Sequence, residues 1–198
     1  MVNRSRSPWL LVAALVAVTL IAAGCGLQTE EANRKLAAAT GHQEEAEAIL
    51  ARLKAFPAEW EALFNVAKIG PAQVESARQL VKAREQDVDA LDKALADWQL
   101  DLRAILKLNV EQGVKEYIRL KLSAIDLWQE YVEDYLRPLI AAYSGMVEII
   151  AFGRPLAEQN AKAQEITNLV GESAQKLEEC LAAEKRADDY FKKNKLGK

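Results

Sequence analysis

The chain has 198 residues, of which 51% are hydrophobic and 28% charged, with 9 Gly and 5 Pro. This composition is typical of one globular domain and argues against a collagen-like or disordered chain. From Cys25 onward, 24 basic residues stand against 29 acidic ones, a net charge of −5, so no basic surface remains to neutralise a nucleic-acid backbone. One His and two Cys exclude a His-rich or Cys-rich metal site. We therefore expect no nucleic-acid partner and no cofactor.

The first 25 residues have the layout of a secretory signal. Arg4 and Arg6 lie in a short polar start, and an apolar stretch from Trp9 to Ala23 follows with a single Thr inside it. A transmembrane helix needs about 20 apolar residues to cross the hydrocarbon core. The stretch is shorter than that, so it fits a cleaved signal better than an anchor.

The apolar stretch ends in Leu20-Ile21-Ala22-Ala23-Gly24-Cys25. This segment resembles the lipobox of bacterial lipoproteins, in which small residues precede an invariant Cys. The resemblance implies that the Cys25 thiol takes a diacylglyceryl group, that cleavage falls between Gly24 and Cys25, and that the new amino terminus can also be acylated. An ordinary cleaved signal with a chance Cys, or an uncleaved short anchor, is the alternative.

The resemblance, together with the polar residues up to position 41 and the helical pattern after them, divides the chain into three parts. Residues 1–24 form the removed signal peptide, residues 25–41 hold the acylated Cys and a polar tether, and residues 42–198 form a single helical bundle domain. Acyl chains contribute about 0.8 kcal/mol per buried methylene, so two or three of them hold a protein firmly on a membrane. We thus expect a lipid-anchored protein on the extracytoplasmic face of a cell membrane.

The body of the chain is predicted to be all-α, because strand-like runs with a period of two are absent while Ala, Leu, Glu, Lys and Gln dominate. A helix over about 43–55 and a second short one that begins at Pro57 form a broken first arm. The next helix begins at Gly70-Pro71 and runs to about Leu108. Its apolar residues recur every three or four positions, except at Arg84, which indicates coiled-coil-like packing. They are Val74, Ala77, Val81, Val88, Leu91, Leu95, Trp98, Leu102 and Ile105.

Two further long helices complete the predicted fold. Asn109 can cap the first of them, whose apolar stripe continues from Val114 to Ile150 with a kink at Pro138. Gly153 and Pro155 separate it from the last helix. The stripe of that last helix is Leu156, Ile166, Val170, Ala174, Leu177, Leu181 and Phe191. The prediction is an elongated antiparallel bundle of three long helices plus the broken N-terminal arm.

An aromatic strip is the most unusual local feature of the body. Five of the nine Tyr and Trp residues fall between Tyr117 and Tyr143, and the spacing of Trp128, Tyr131 and Tyr135 places them on one helix face. These three rings could form a surface for a glycan, a lipid or a partner helix. The alternative, which we favour, is that they fill the bundle core, as aromatic stripes at helical spacing usually do.

Signatures of catalysis are missing from the sequence. There is no Gly-x-Ser-x-Gly, no Gly-rich phosphate loop and no His-Glu-x-x-His, and His42 lies at the predicted hinge beside Gly41. We predict that Cys180 is a buried thiol; the alternative is that it is exposed and links two copies of the chain. We expect a non-catalytic binding or scaffolding module of the cell envelope with a protein or envelope-polymer partner. The alternative is a carrier of a solute, lipid or glycan in a pocket lined by Trp128, Tyr131 and Tyr135.

Overall fold

A computed structural model describes residues 28–66 and 69–196, and within these ranges every regular element is a helix. The predicted all-α fold is therefore confirmed. Gly24 and Cys25, the predicted cleavage and acylation residues, lie outside the described residues. The elements in chain order are α1 (Thr29–Phe64), α2 (Pro71–Leu106), α3 (Gln112–Tyr131), a π-helical turn (Val132–Leu136), α4 (Arg137–Ala151) and α5 (Leu156–Lys193).

The helices alternate in direction, with α3, the π-helical turn and α4 forming one continuous helical run. Helix α2 is central and packs against α1 on one side and against α3 and α4 on the other. Helix α5 packs along α3 and α4, whereas among the described residues no Cα atom of α1 lies within 8 Å of one in α5. The two flanking helices are thus each held mainly by one neighbour.

The bundle has two distinct ends. At the end that we call the N-terminal end, the Gln28 N–H donates to the Asn109 carbonyl at 2.9 Å, and the Asn109 N–H donates to Gln28 Oε1 at 2.9 Å. The opposite end, which we call the far end, holds the loop from α1 to α2 and the loop from α4 to α5. Helix α2 has 36 residues and at 1.5 Å per residue spans about 54 Å between the two ends.

Helix α1 corrects the prediction of a tether over 25–41 and of a broken arm. It is continuous from Thr29 to Phe64, so helix begins well before residue 42. Ala32 and Ala39 are buried in the hydrophobic core, because side chains this small allow close packing. Tertiary contacts of this kind override the weak helix propensity of Gly41 and Pro57, which the sequence analysis took as breaks.

Helix α2 agrees closely with its prediction. It begins at Pro71 and ends at Leu106, and Gln73 Oε1 accepts the Gly70 N–H at 3.1 Å. Arg84 lies on the apolar face of α2, as predicted, and its guanidinium is close to two acids. Its Nη1 is 2.8 Å from Asp87 Oδ2, and its Nη2 is 4.0 Å from Glu59 of α1.

The helical run continues across Pro138, as predicted, but its geometry changes just before that residue. The Arg137 N–H donates to the Val132 carbonyl, five residues back, which defines the π-helical turn. The predicted cap at Asn109 is wrong, since Glu111 is the residue that precedes α3. Asn109 instead uses its backbone to hold Gln28.

The buried face of α5 differs from the predicted stripe. Val170 and Ala174 are exposed, and Leu177 is only half-buried. Smaller or polar side chains form the buried face of α5 instead. They can be buried there because their hydroxyl, thiol and ammonium groups contact polar atoms of α3. The buried residues of α5 are Ile166, Ser173, Lys176, Cys180, Ala183 and Ala187.

Candidate functional site

The far end of the bundle carries an open apolar cleft with a volume of about 260 Å³. Its walls come from the end of α1, the end of α4 and the start of α5, so three segments distant in sequence meet there. The lining residues are Trp60, Phe64, Ile69, Met146, Ile150, Gln159, Asn160 and Ala163.

An aromatic cluster forms the base of this region. Phe56, Trp60 and Phe64 follow each other at intervals of four residues, which places them on one face of α1. The Tyr143 ring of α4 lies 4.6 Å from Phe56 and 4.7 Å from Trp60 between ring centroids, both edge to face. Trp60 and Phe64 lie 4.8 Å apart. Contacts of this geometry are favourable beyond the area that they bury, so the end of α1 is fixed against α4.

An ion pair braces the same end between α2 and α4. Arg78 Nε donates to Glu148 Oε1 at 3.0 Å, and Arg78 Nη2 donates to Glu148 Oε2 at 3.2 Å. The hydrogen bond from Arg78 lowers the pKa of the Glu148 carboxyl and raises that of the guanidinium. Both side chains are about half exposed, so the pair contributes little to stability and mainly sets the position of α4.

The chemistry of the cleft is that of a binding site for an apolar group. None of the described residues that line it is ionisable, so they supply no general acid, base or nucleophile. The Gln159 amide donates to the Arg154 carbonyl at 2.9 Å and fixes the rim, beside Asn160. Ligand pockets typically have about 300–1,000 Å³, so a cleft of this size suits one or two apolar side chains or the end of a hydrocarbon chain.

Exposed apolar side chains surround the cleft. The structure describes six large apolar residues that are exposed, and four of them belong to the two far-end loops or to the residue directly after one. Phe152 is 72% exposed and Leu156 is 69% exposed, values that are unusual for apolar residues so close together. A concentration of this kind is typical of an interaction surface. The other two far-end residues are Val66 and Ile69.

The aromatic strip lies in the core and not on a surface. Trp128 and Tyr131 are 3% and 6% exposed, and only Tyr135 is half-buried. The Trp128 indole N–H donates to Glu184 at 3.1 Å, and the Tyr131 hydroxyl lies 3.1 Å from Ser173 Oγ. The hypothesis that these three rings form a ligand surface or line an open pocket is thus contradicted, because the polar atoms of Trp128 and Tyr131 already have partners inside the bundle.

A polar cluster that the sequence analysis did not single out lies beside Trp128. The Lys121 ammonium is buried, 2.8 Å from Asp188 and 5.9 Å from the centroid of the Trp98 ring. Burial raises the pKa of the Glu184 carboxyl, although the nearby Lys121 lowers it in part. The sequence of α3 gives no sign that Lys121 will be buried, because its partner Asp188 comes from α5.

Cys180 and His42, the other two residues considered in the sequence analysis, both lie within helices. Cys180 is buried and its thiol contacts the Leu127 carbonyl at 3.4 Å, which contradicts the hypothesis of an exposed link between copies. Burial raises the pKa of the Cys180 thiol to about 12. His42 lies within α1 and not at a hinge, with Nε2 3.7 Å from Asp101.

In residues 28–66 and 69–196, no group of His, Cys, Asp and Glu is placed to hold a metal ion. No helix in the same ranges combines the length and the hydropathy that crossing a membrane requires. Comparison with protein-family models, curated proteins and solved structures finds no match for this chain.

Proposed function

We propose that this protein is a membrane-anchored bacterial lipoprotein whose helical bundle is a non-catalytic binding and scaffolding module on the extracytoplasmic face. Cys25 carries the acyl chains, and the far-end cleft takes the partner. The single observation that carries this proposal is the position of Gln28. It lies three residues after Cys25 and is tied to Asn109 at the end of the bundle opposite the cleft.

This placement supports an anchored rod. Three residues reach at most about 10 Å, so an acylated Cys25 holds the N-terminal end of the bundle close to the lipid. An upright bundle then presents its far end about 50 Å from that membrane. The tether is shorter than the sequence suggested, because α1 begins at Thr29.

Charges at the N-terminal end are compatible with that orientation. Lys192 and Lys193 lie in the last turn of α5, and Lys195 follows after Asn194. Cations at this place complement the negative end of the helix dipole. They would also be attracted to anionic lipid at about 1 kcal/mol each when close to the surface.

The carrier function is the less favoured alternative, because the cleft is open and smaller than most ligand pockets. A carrier would have to use the cleft beside Trp60 and Phe64, since Trp128 and Tyr131 are in the core. An open cleft with exposed apolar neighbours fits docking of a surface better than enclosure of a solute.

The test of anchoring uses the two Cys residues as a matched pair. Cys25→Ala should abolish labelling of the protein by radioactive palmitate and release it from the membrane fraction, or leave it as an unprocessed precursor. Cys180→Ala, which changes a buried thiol, should remain labelled and membrane-bound. A Cys25→Ala protein that is still acylated and still in the membrane fraction would refute the proposal.

A further inference from the structure

We propose that the far end of the bundle binds the far end of a second copy of this chain, which gives a symmetric dimer of two rods joined end to end. The two-fold axis passes beside Leu156, so that each copy places its Phe152 at the cleft of the other. This inference names the partner of the far-end cleft and therefore rests on the proposed function of that surface. It does not depend on the anchor at Cys25.

The first observation is that one surface carries both an apolar cleft and exposed apolar side chains. The cleft has a volume of about 260 Å³ and is open, so it can take a side chain of another molecule. Phe152 is 72% exposed and Leu156 is 69% exposed. Leu156 comes one turn before Gln159 and Asn160, which line the cleft, so it lies on the same face of α5. A two-fold dimer brings the same surface of both copies together, so a cleft beside a protruding side chain is matched twice.

The second observation is that a hydrogen-bonded turn presents Phe152. Gly153 adopts φ 60°, a left-handed conformation that ends α4 without strain. The Gly153 N–H donates to the Ile150 carbonyl at 3.1 Å, and the Arg154 N–H donates to the Ile149 carbonyl at 3.0 Å. Because the backbone on either side of Phe152 is already ordered, docking of this ring costs little further backbone entropy.

The third observation is that the charges between α4 and α5 are self-complementary. Residues 149–161 contain one base and one acid, Arg154 and Glu158. Both are exposed, and neither forms an ion pair with another residue in the part of the chain that the structure describes. They stand two positions before and two positions after Leu156. An axis at Leu156 that makes the two segments antiparallel therefore brings Arg154 of each copy beside Glu158 of the other.

The same axis matches Phe152 with the cleft. Phe152 and Asn160 stand four positions before and four positions after Leu156, and Asn160 lines the cleft. The symmetry that pairs the two charges therefore also directs each Phe152 toward the cleft of the other copy. Apolar shape and charge select one and the same arrangement.

The other charges of the far end favour a second copy over a strongly charged partner. Several of them are already paired within the chain, as Arg78 is with Glu148 and Lys162 is with Glu165. Glu61 of α1 is a further exposed acid. The described residues of this end therefore carry both signs without an excess of bases, so they do not form a site for anionic lipid or nucleic acid. A second copy requires only that one base meets one acid, which the two-fold axis provides.

The arrangement predicts an elongated dimer. The two α5 helices extend in opposite directions from the axis, so the N-terminal ends of the two copies lie at the outer ends. Helix α2 has 36 residues and spans about 54 Å, so the dimer is about 100 Å long. The contact is confined to one end of each rod, and we therefore expect a dimer that dissociates on dilution. If both chains are acylated at Cys25, as proposed, this dimer connects two opposing membranes.

The experiment uses disulfide crosslinking of the full-length protein in concentrated detergent solution. Leu156→Cys places one thiol of each copy beside the axis, and copper phenanthroline oxidises two neighbouring thiols to a disulfide. We expect a covalent dimer of twice the chain mass on a non-reducing gel. The matched control Leu100→Cys changes a residue that is also 69% exposed but lies on the side of α2. It should give no more dimer than the parent, whose Cys180 is buried, because thiols on distant backbones cannot form a disulfide.

An exchange of charge tests the register of the two copies. In the Leu156→Cys protein, Arg154→Glu leaves only acids at this contact and Glu158→Arg leaves only bases. Each of these variants alone should crosslink severalfold less than Leu156→Cys, because like charges then face each other. A mixture of the two should restore the yield, because every acid again meets a base. Small-angle X-ray scattering of the crosslinked dimer should give a maximum dimension of about 100 Å, roughly twice that of the monomer.

Four outcomes would overturn the proposal. Equal dimer yields from Leu156→Cys and Leu100→Cys would do so, as would a mixture of charge variants that crosslinks no better than its components. A crosslink from Leu156→Cys to a different protein would overturn it and indicate that protein as the partner. Binding of a monomeric parent to protein-free vesicles, lost in Phe152→Ser, would overturn it in favour of a bilayer.

The result also distinguishes this inference from the proposed anchoring. A protein that forms the dimer but is not labelled by palmitate would refute the anchor at Cys25 alone. A labelled protein that stays monomeric would refute the far-end inference alone. Because the substituted side chains are exposed, all variants should keep the melting temperature of the parent in dilute solution, which circular dichroism checks.

Discussion

Truncation of Trp128 to Ala tests whether the aromatic strip is a core element. The Trp128 ring is buried, lies 5.6 Å from Tyr131 between centroids, and donates its indole N–H to Glu184 at 3.1 Å. Replacing a buried Trp by Ala costs about 3–5 kcal/mol because a cavity remains. The carboxylate that loses its donor adds about 1 kcal/mol.

The expected loss of about 4–6 kcal/mol is a large part of the stability of a typical domain, about 5–15 kcal/mol. Each kcal/mol shifts the melting temperature of a domain of this size by roughly 2–4 °C. Thermal melts followed by far-ultraviolet circular dichroism should therefore show a decrease of at least about 8 °C for Trp128→Ala. Urea titration should give a lower midpoint at an unchanged slope.

Two control variants make the test specific. Trp128→Phe keeps a ring in the layer and loses the indole N–H, so its destabilisation should be smaller than that of the Ala variant. Phe152→Ala removes an exposed ring and should change stability by less than about 0.5 kcal/mol. If Trp128→Ala melts like the parent and has lost a copurifying ligand, the core assignment is refuted and the carrier hypothesis regains support.

Three further predictions concern the core and its buried ionisable groups. Leu95→Asp places an unpaired carboxylate in the buried seam and should unfold the domain in thermal melts, whereas Leu100→Asp, at an exposed position, should be much milder. Similar losses in both would contradict the packing of α2. Glu184→Gln should raise the melting temperature at pH 7. Burial raises the pKa of Glu184 in the folded state, so its contribution to stability is present at low pH and is lost as the pH rises through that pKa. The advantage of the Gln variant should therefore vanish below about pH 4, near the unfolded pKa of Glu, and an advantage that persists there would count against this explanation. Cys180 should react with a thiol reagent only after unfolding in denaturant, because its thiol is buried and its pKa is raised; rapid labelling of the folded protein would contradict its burial.

Helix α2 shows what the sequence predicts well. The pair Gly70-Pro71 gives a local start signal, and the apolar residues up to Ile105 repeat with a period that only a helix satisfies. Both signals act over a few residues, so no knowledge of the other helices is needed. The observed start at Pro71 follows from them, and the observed end at Leu106 lies two residues before the predicted end at about Leu108.

Helix α1 shows where local signals mislead. Gly41 and Pro57 have low helix propensity, and the residues before Gly41 are mostly polar or small, so the sequence suggested a tether. Ala32 and Ala39 are nevertheless in the core. An Ala adds little to an apolar sequence pattern. Its small side chain nevertheless allows α1 and α2 to pack closely, and this stabilisation of α1 arises only from the contact with α2.

The cleft was missed for a different reason. Trp60 and Phe64 were visible as an apolar pair on a short helix, but the other walls come from Ile150 and Ala163, roughly a hundred residues later. No spacing rule connects such positions. Exposure is equally hidden in the sequence, since Phe152 and Leu156 look like core residues of the flanking helices until the turn at Gly153 is known.

The misread face of α5 connects the fold to the site. The buried face of α5 is made of Ile166, of small residues and of one lysine, Lys176. The Lys176 ammonium lies 2.8 Å from Glu130 of α3 and 3.2 Å from Glu179 of the next turn. Leu156, at the first turn of α5, is left out of this face and exposed. A helix held by polar pairs needs few large apolar residues for its own packing. Near its start, Ala163 is therefore available for the cleft wall and Leu156 for the exposed surface of the far end, which is the region where we propose that the protein binds.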